Sequence, residues 1–142
     1  MPGSLAQLSR RVEFAAAHRY RRPEWTDERN RAVFGASANP NFHGHDYSCT
    51  VTVRGPIDET TGMIVDLGVL DRILFDEVTS RFDHRNLNLD VPEFADGRLV
   101  PTGENLARFI FERVQPRLPG GVELVRVDLA EDDTLSAAFG VR

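Results

Sequence analysis

The sequence predicts an α+β fold in which two helices pack on one face of a four-stranded antiparallel sheet. Three observations support this fold class. Four segments alternate polar and apolar residues, which is the pattern of strands with one buried face. Two longer segments repeat apolar residues every three or four positions, which is the pattern of amphipathic helices. The helical segments lie between the second and third strands, so the predicted order is β-β-α-α-β-β.

The first two predicted strands cover residues 8–18 and 45–55, and Gly55-Pro56 ends the second. Both strands place apolar residues at alternate positions. These positions are Leu8, Val12, Phe14, Tyr47, Cys49, Val51 and Val53. Residues 19–42 form a long excursion between the strands, with a short helix predicted over 27–34 after the capping residue Thr26. Long ordered loops often contain binding or active-site residues.

The two main helices are predicted over 66–82 and 102–115, and each has one apolar face. The faces consist of Leu67, Leu70, Leu74 and Val78 in the first helix and of Leu106, Phe109, Ile110 and Val114 in the second. Strands over 122–131 and 135–141 follow, joined by a hairpin turn. Four strands do not close a barrel and leave two sheet edges open. We therefore expect the chain to form a homo-oligomer through these edges.

Composition narrows the classes of function. The length of 142 residues predicts one domain with a buried core, covering residues 1–142. A net charge of −5 argues against a general nucleic-acid binder. No apolar run is long enough for a membrane span, and the first residues lack the apolar segment of a secretory signal, so we expect a cytoplasmic protein. The single cysteine, Cys49, excludes an intrachain disulfide and a cysteine-based zinc site.

Three histidines indicate a metal site. His43 and His45 are two positions apart at the start of the second strand, so both side chains face the same side, and Gly44 leaves space between them. His18 ends the first strand. If the two strands pair as antiparallel neighbours, all three imidazoles meet at one end of the sheet, where they would form an open zinc site. The alternative is that they are polar residues at strand ends.

Acidic residues form further candidate positions. Asp83 precedes His84, and a carboxylate beside an imidazole can orient the ring for proton transfer, although a histidine at a helix C-terminus also complements the helix dipole. Glu131, where the third strand meets its hairpin, can accept two hydrogen bonds from the edge of a 2-amino-pyrimidinone ring. Glu104 lies in the first turn of the second helix, where an acid is also expected for the helix dipole.

Together these motifs resemble the 6-pyruvoyl-tetrahydropterin synthase family. The resemblance extends over nearly the whole chain, from about residue 12 to residue 139. The matching segments are "FAAAHR" (14–19), "FGASANPNFHGHDY" (34–47), "IDETTGMIVDLGVL" (57–70), "FDHRNLN" (82–88), "PTGENLA" (101–107) and "LAEDD" (129–133).

The resemblance implies a T-fold, in which subunits join their sheets into a barrel, usually as a hexamer of two trimers. It implies Zn²⁺ as the cofactor, held by His18, His43 and His45. It also implies that Glu131 anchors a pterin ring with help from Thr102 and Glu104. Asp83 and His84 would belong to the proton-transfer machinery, in sites built between subunits. The implied reaction eliminates triphosphate from 7,8-dihydroneopterin triphosphate and gives 6-pyruvoyl-tetrahydropterin.

The chain differs from the family at its catalytic base. Ser37 lies six residues before His43, where the eukaryotic-type synthases have a cysteine, and a serine hydroxyl is a much poorer base than a thiol. The bacterial 6-carboxytetrahydropterin synthases place their cysteine closer, but Asn39 is at that position. Three explanations are open. Ser37 is the natural residue of a subgroup with a different reaction, it is an engineered replacement, or Cys49 takes the role of the family's cysteine. The distance along the strand from His45 argues against Cys49.

Several functions follow from these features. The first is a zinc-dependent lyase that acts on 7,8-dihydroneopterin triphosphate. The second is a sister enzyme, either a 6-carboxytetrahydropterin synthase or an aldolase that cleaves the dihydropterin side chain. The third is a pterin-binding protein that has lost catalysis because of Ser37. A purely structural zinc protein is the least favoured, because no further histidine or cysteine is placed to complete its coordination.

Overall fold

A computed structural model of the chain describes residues 4–140. Its strands are β1 (Leu5–His18), β2 (His43–Pro56), β3 (Arg85–Asn86), β4 (Glu123–Asp132) and β5 (Leu135–Gly140). Its helices are α1 (Asp27–Phe34), α2 (Leu67–Leu74), α3 (Ser80–Phe82), α4 (Leu87–Asp90) and α5 (Gly103–Val114). The strands of this part of the chain form one sheet in the order β3-β1-β2-β4-β5. The α+β class is confirmed.

The sheet differs from the prediction in one detail. All four predicted strands are present and antiparallel to their neighbours, but β3 adds a fifth strand that runs parallel to β1. Its two residues pair with Ala16 and Ala17. A strand of two residues has no alternating pattern, so the sequence does not reveal it. The predicted final strand is confirmed as far as Gly140, and position 141 lies outside the described residues.

The helix predicted over 66–82 is not continuous. It begins at α2, capped by the side chain of Asp66, and passes through a π-helical turn over Phe75–Thr79 before it ends in α3. The extra residue of a π turn rotates the side chains that follow it. Glu77, in this turn, is buried and bonds to Arg81, Arg113 and Arg117. The apolar periodicity therefore predicted the buried residues Leu70, Leu74 and Val78, but it was wrong for Leu67, which is exposed in the first turn of α2, and it did not predict the change in helical pitch.

The core lies between one face of the sheet and the helices. Phe14 and Tyr47, which are cross-strand partners on β1 and β2, stack with ring centroids 4.8 Å apart. The helical side is formed by fully buried residues of α2 and α5, namely Leu70, Leu74, Leu106 and Ile110. Burying apolar surface of this kind is the main favourable term in folding. No helix within residues 4–140 has the length and hydropathy needed to cross a bilayer.

The excursion between β1 and β2 is ordered by local hydrogen bonds. Thr26 caps α1 by accepting from the backbone N–H of Arg29, as predicted. The buried side chain of Asn30 donates to three backbone carbonyls and accepts from the backbone of Arg22. Gly35 adopts a left-handed conformation with φ of 62°, which lets α1 end and the chain turn back toward the sheet. The excursion therefore returns the chain to the sheet at His43.

Candidate active site

The pairing of β1 and β2 brings the three predicted metal ligands together. His18 is the cross-strand partner of His43, and Ala16 is the partner of His45. Because side chains alternate along a strand, all three imidazoles face the helix side of the sheet. Their ligand atoms lie within 4.8 Å of one another. No fourth histidine, cysteine or carboxylate joins this group within residues 4–140.

His18 is completely buried, and its tautomer is determined by its neighbours. Its Nδ1 lies 2.8 Å from the carbonyl oxygen of Pro101. A carbonyl can only accept, so Nδ1 carries the hydrogen and Nε2 keeps its lone pair for a metal. The hydroxyl of Tyr47 lies 3.1 Å from the same Nδ1. The loop before α5 therefore orients a residue at the end of β1.

The imidazoles of His18 and His43 are suited to bind a cation because a lowered pKa keeps them neutral. Burial lowers the pKa of His18 to about 4; the hydrogen bond to Pro101 opposes this shift, and the nearby His43 and His45 add to it. Burial also lowers the pKa of His43, with a further contribution from His45 against the opposing charge of Glu131. Neutral imidazole is the form that coordinates metals. With His45 the cluster offers three imidazole nitrogens, which fit Zn²⁺ with one coordination position left for a ligand.

Glu131 lies beside the histidines, at the end of β4. It is buried, and its Oε1 lies 3.9 Å from Nε2 of His18. The hydroxyl of Tyr20 donates to the same oxygen at 3.2 Å. Glu131, Tyr20 and Glu104 line a cavity of about 210 Å³ whose other side is formed by residues 135–138 of β5. The structure thus brings two of the three predicted pterin-binding residues to one cavity next to the histidines.

Thr102 has a structural contact. Its hydroxyl accepts a hydrogen bond from the backbone N–H of Asn105 at 3.1 Å, so it caps α5. The adjacent residues Gly103 and Glu104, but not Thr102, line the cavity of Glu131. Thr102 therefore determines where α5 begins and so where Glu104 lies. Its predicted contact with a pterin stays a prediction.

Asp83 and His84 contact each other despite being adjacent in sequence. His84 has a φ of 61°, and this left-handed conformation brings its Nδ1 to 3.1 Å from Oδ2 of Asp83. The other oxygen of Asp83 accepts from the backbone N–H of Ala15 at 2.9 Å. That hydrogen bond is the largest cause that lowers the pKa of Asp83; burial opposes it, and His84 adds to it. The carboxylate is thus held beside the imidazole in its charged form.

His84 does not belong to the histidine cluster. Its side chain is 84% exposed, and it lines a surface depression of about 650 Å³. His45 lines the same depression, together with Asp46 and Arg85. His84 and one histidine of the cluster, His45, therefore line the same concave surface, although His84 is not part of the group of close ligand atoms.

Ser37 and Cys49 have different surroundings. Ser37 lies in the 3-10 turn Gly35–Ala38, and its carbonyl accepts from the backbone N–H of Tyr20 at 2.8 Å. Cys49 is completely buried in the core, and burial raises the pKa of its thiol to about 12. The hypothesis that Cys49 replaces the family's catalytic cysteine is therefore wrong, because the thiol is neither accessible nor ionised near neutral pH.

Three site residues were missed in the sequence: Tyr20, Tyr47 and Pro101. Tyr47 lies two positions from His45 on β2, so strand alternation alone would have placed both on the same side, whereas Tyr20 lies beyond the end of β1, where alternation does not apply. The local sequence pattern gave no signal that Pro101 contacts the site. Its contact with His18 joins residues 83 positions apart and depends on how the loop before α5 packs.

Comparisons with known proteins agree with this architecture. The chain matches the family model "6-pyruvoyl tetrahydropterin synthase" over residues 7–140. It is 45% identical over 128 residues to the 6-pyruvoyl tetrahydrobiopterin synthase of Pongo abelii, covering 90% of this chain and 86% of the relative. It is 35% identical over 136 residues to the dihydroneopterin monophosphate aldolase of Pyrococcus furiosus, covering 96% and 95%.

The fold agrees as well. The structure of 6-pyruvoyl tetrahydropterin synthase from Caenorhabditis elegans superposes with a TM-score of 0.92 at 31% identity, covering 100% of this chain and 99% of that one. This likeness confirms the expected T-fold. With a family match over nearly all of its length and close relatives that bear the family name, the chain belongs to the 6-pyruvoyl tetrahydropterin synthase family.

Proposed function

We propose that the chain is a zinc-dependent lyase that converts 7,8-dihydroneopterin triphosphate into 6-pyruvoyl-tetrahydropterin and triphosphate. One observation carries this proposal: the ligand atoms of three imidazoles lie within 4.8 Å of one another, and Oε1 of Glu131 lies 3.9 Å from Nε2 of His18. A metal-binding group and an acceptor for a 2-amino-pyrimidinone edge are therefore adjacent. Family membership supports the same reaction class.

His18, His43 and His45 are the residues that would hold zinc. When bound, zinc supplies a Lewis acid that acidifies the C–H and O–H groups of a coordinated side chain. Glu131 accepts hydrogen bonds from the 2-amino group and the neighbouring ring N–H, which orients the pterin. The buried surroundings of Glu131 exclude water from these hydrogen bonds and so strengthen them.

Proton transfer is assigned to Asp83 and His84. Asp83 bonds to Nδ1 of His84, which leaves Nε2 of the exposed ring to take or give a proton. The ring is not in contact with the histidine cluster of its own chain. We propose that the pair acts on substrate in a site completed by another subunit, in line with the predicted homo-hexamer of two trimers. Ser37 lies at the family's cysteine position but provides no thiolate.

A second candidate is an aldolase that cleaves the dihydropterin side chain. Two observations favour it: Ser37 replaces the thiol, and the Pyrococcus furiosus relative bears the name of a dihydroneopterin monophosphate aldolase. The carboxy-forming reaction and a binding protein without catalysis are the remaining alternatives. All of them use the same histidine cluster and the same cavity.

Product analysis tests these functions directly. Zinc-loaded protein is incubated with 7,8-dihydroneopterin triphosphate, and the substituent at C6 is identified by mass spectrometry. A pyruvoyl group with released triphosphate supports the lyase, a hydroxymethyl group supports the aldolase, and a carboxyl group supports the carboxy-forming reaction. His43→Ala is the control and abolishes whichever product depends on the metal. Unchanged substrate with the zinc-loaded oligomer contradicts the lyase and the carboxy-forming enzyme.

A further inference from the structure

Tyr20 connects three parts of the site. Its hydroxyl donates to Oε1 of Glu131 at 3.2 Å. Its ring packs edge-on against His18, with centroids 5.1 Å apart, and against Phe34 at 5.8 Å. Its backbone N–H donates to the carbonyl of Ser37 at 2.8 Å. The ring is thus held from several sides, so its hydroxyl has a defined position.

The carboxylate of Glu131 lies between two possible partners, a metal held by the histidines and a ligand in the cavity. Its Oε1 lies 3.9 Å from Nε2 of His18, the nitrogen that the Pro101 hydrogen bond leaves free for a metal. Carboxylates are regular zinc ligands, and a fourth protein ligand would convert an open site into a closed one. The same carboxylate also lines the cavity of about 210 Å³. A further contact is therefore needed to orient the Glu131 carboxylate toward the cavity or toward the metal.

The phenol of Tyr20 is placed to determine which way the Glu131 carboxylate points. Its hydroxyl donates at 3.2 Å to Oε1 of Glu131, the same oxygen that lies 3.9 Å from Nε2 of His18. A carboxylate offers about four lone-pair positions, so one donor from Tyr20 leaves acceptors for a ligand in the cavity.

We propose that Tyr20 is a positioning residue that keeps the Glu131 carboxylate on the ligand cavity and off the metal, so that the metal keeps an open position. This inference rests on the proposed function, in which the histidines hold zinc and Glu131 binds the pterin ring. It adds a residue that separates these two roles. The hydrogen bond from Tyr20 to Glu131 joins two residues of the chain itself, so it orients the carboxylate before substrate binds.

The metal arm of the test uses Co²⁺, whose visible spectrum reports its ligands. Tyr20→Phe removes one oxygen and leaves the packing of the ring. We expect the Co²⁺ spectrum of Tyr20→Phe to differ from that of the unaltered protein because Glu131 joins the metal. Adding Glu131→Gln should restore the original spectrum. The chain's other tyrosine is the matched control: any change caused by Tyr47→Phe, whose hydroxyl contacts His18, should persist in the presence of Glu131→Gln.

The ligand arm uses the metal-free protein and neopterin, with 6-trihydroxypropyl-lumazine as a comparison because it differs from neopterin only in having an oxygen in place of the 2-amino group. We expect the affinity of Tyr20→Phe for neopterin to fall about tenfold, the effect of one hydrogen bond to a charged group. The preference for neopterin over this lumazine should fall as well.

The outcomes separate the two proposals. If Tyr20→Phe has an unchanged Co²⁺ spectrum and unchanged neopterin affinity, the role of Tyr20 is overturned. A changed spectrum that Glu131→Gln does not restore also overturns it. If the unaltered protein binds no neopterin but the Glu131-dependent spectral change is present, the proposed function fails while the control of Glu131 by Tyr20 is supported.

Discussion

His18 and His43 are cross-strand partners at the end of the β1–β2 pair, and their ring centroids lie 4.5 Å apart. This pairing places both rings on one face of the sheet, because a register shift of one residue would turn one ring to the other face. His45 joins them from the next position on the same side of β2. The candidate metal site therefore depends on the register of one antiparallel strand pair.

Replacing a cluster histidine should remove the metal. We expect His43→Ala to weaken zinc binding more than about 100-fold, because even outer-shell changes cost about 10- to 100-fold. Zinc content and competition with a chelator measure this effect. His84→Ala is the matched control, since His84 lies outside the cluster. It should keep its zinc and lose about 10²- to 10⁴-fold in turnover, as expected for a proton-transfer group. Full zinc binding by His43→Ala would contradict the site.

Restoring a thiol at position 37 should increase elimination. We expect Ser37→Cys to raise the rate of triphosphate release by roughly 100-fold, within the range for a positioned base. Triphosphate release from 7,8-dihydroneopterin triphosphate is the measurement. Ala36→Cys places a thiol in the same 3-10 turn but one position away, and it should have no such effect. Equal rates for all three proteins would show that position 37 does not provide the base.

Glu77 should contribute to stability in a pH-dependent way. Burial raises the pKa of Glu77, but hydrogen bonds from Arg117, Arg113 and Arg81 outweigh burial and leave the pKa below its ordinary value of 4.5. A lowered pKa means that the stabilisation is fully present above that ordinary value and is lost as pH falls through the folded-state pKa. We expect Glu77→Gln to reduce the free energy of unfolding by about 1–3 kcal/mol at neutral pH.

Urea unfolding at several pH values measures the contribution of Glu77. The difference in unfolding free energy between the variant and the unaltered protein should shrink as pH falls below 4.5, the ordinary value for this carboxyl. Glu28→Gln, on the exposed surface of α1, is the control and should change little. A difference that stays constant down to low pH would contradict the charged role of Glu77.

The open sheet edges should lead to assembly. Along the described chain the sheet ends at β3 on one side and at β5 on the other, and β5 exposes Leu135 and Phe139. Unpaired strand edges with apolar side chains favour pairing with another copy. We expect light scattering at micromolar concentration to give the mass of a homo-hexamer. A monomer would contradict both the assembly and a site completed between subunits.

The sequence by itself determined the parts that depend on local pattern. Alternation predicted the four long strands, apolar spacing predicted the helical faces except for the exposed Leu67, and Thr26 predicted the start of α1. The candidate metal ligands were found because His43 and His45 share one side of a strand. These features need only residues close in sequence, where the period of a strand or helix decides which way a side chain faces.

Only the tertiary structure decided the contacts between distant segments. The parallel strand β3, the carbonyl of Pro101 on His18, and the bond from Tyr20 to Glu131 join residues far apart in the chain. The left-handed turn that brings His84 onto Asp83 also depends on their shared contacts with Ala15 of β1. Local pattern determines which face of a strand or helix a residue lies on. Register and packing determine which distant residue it contacts, and the geometry of the candidate site depends on those contacts.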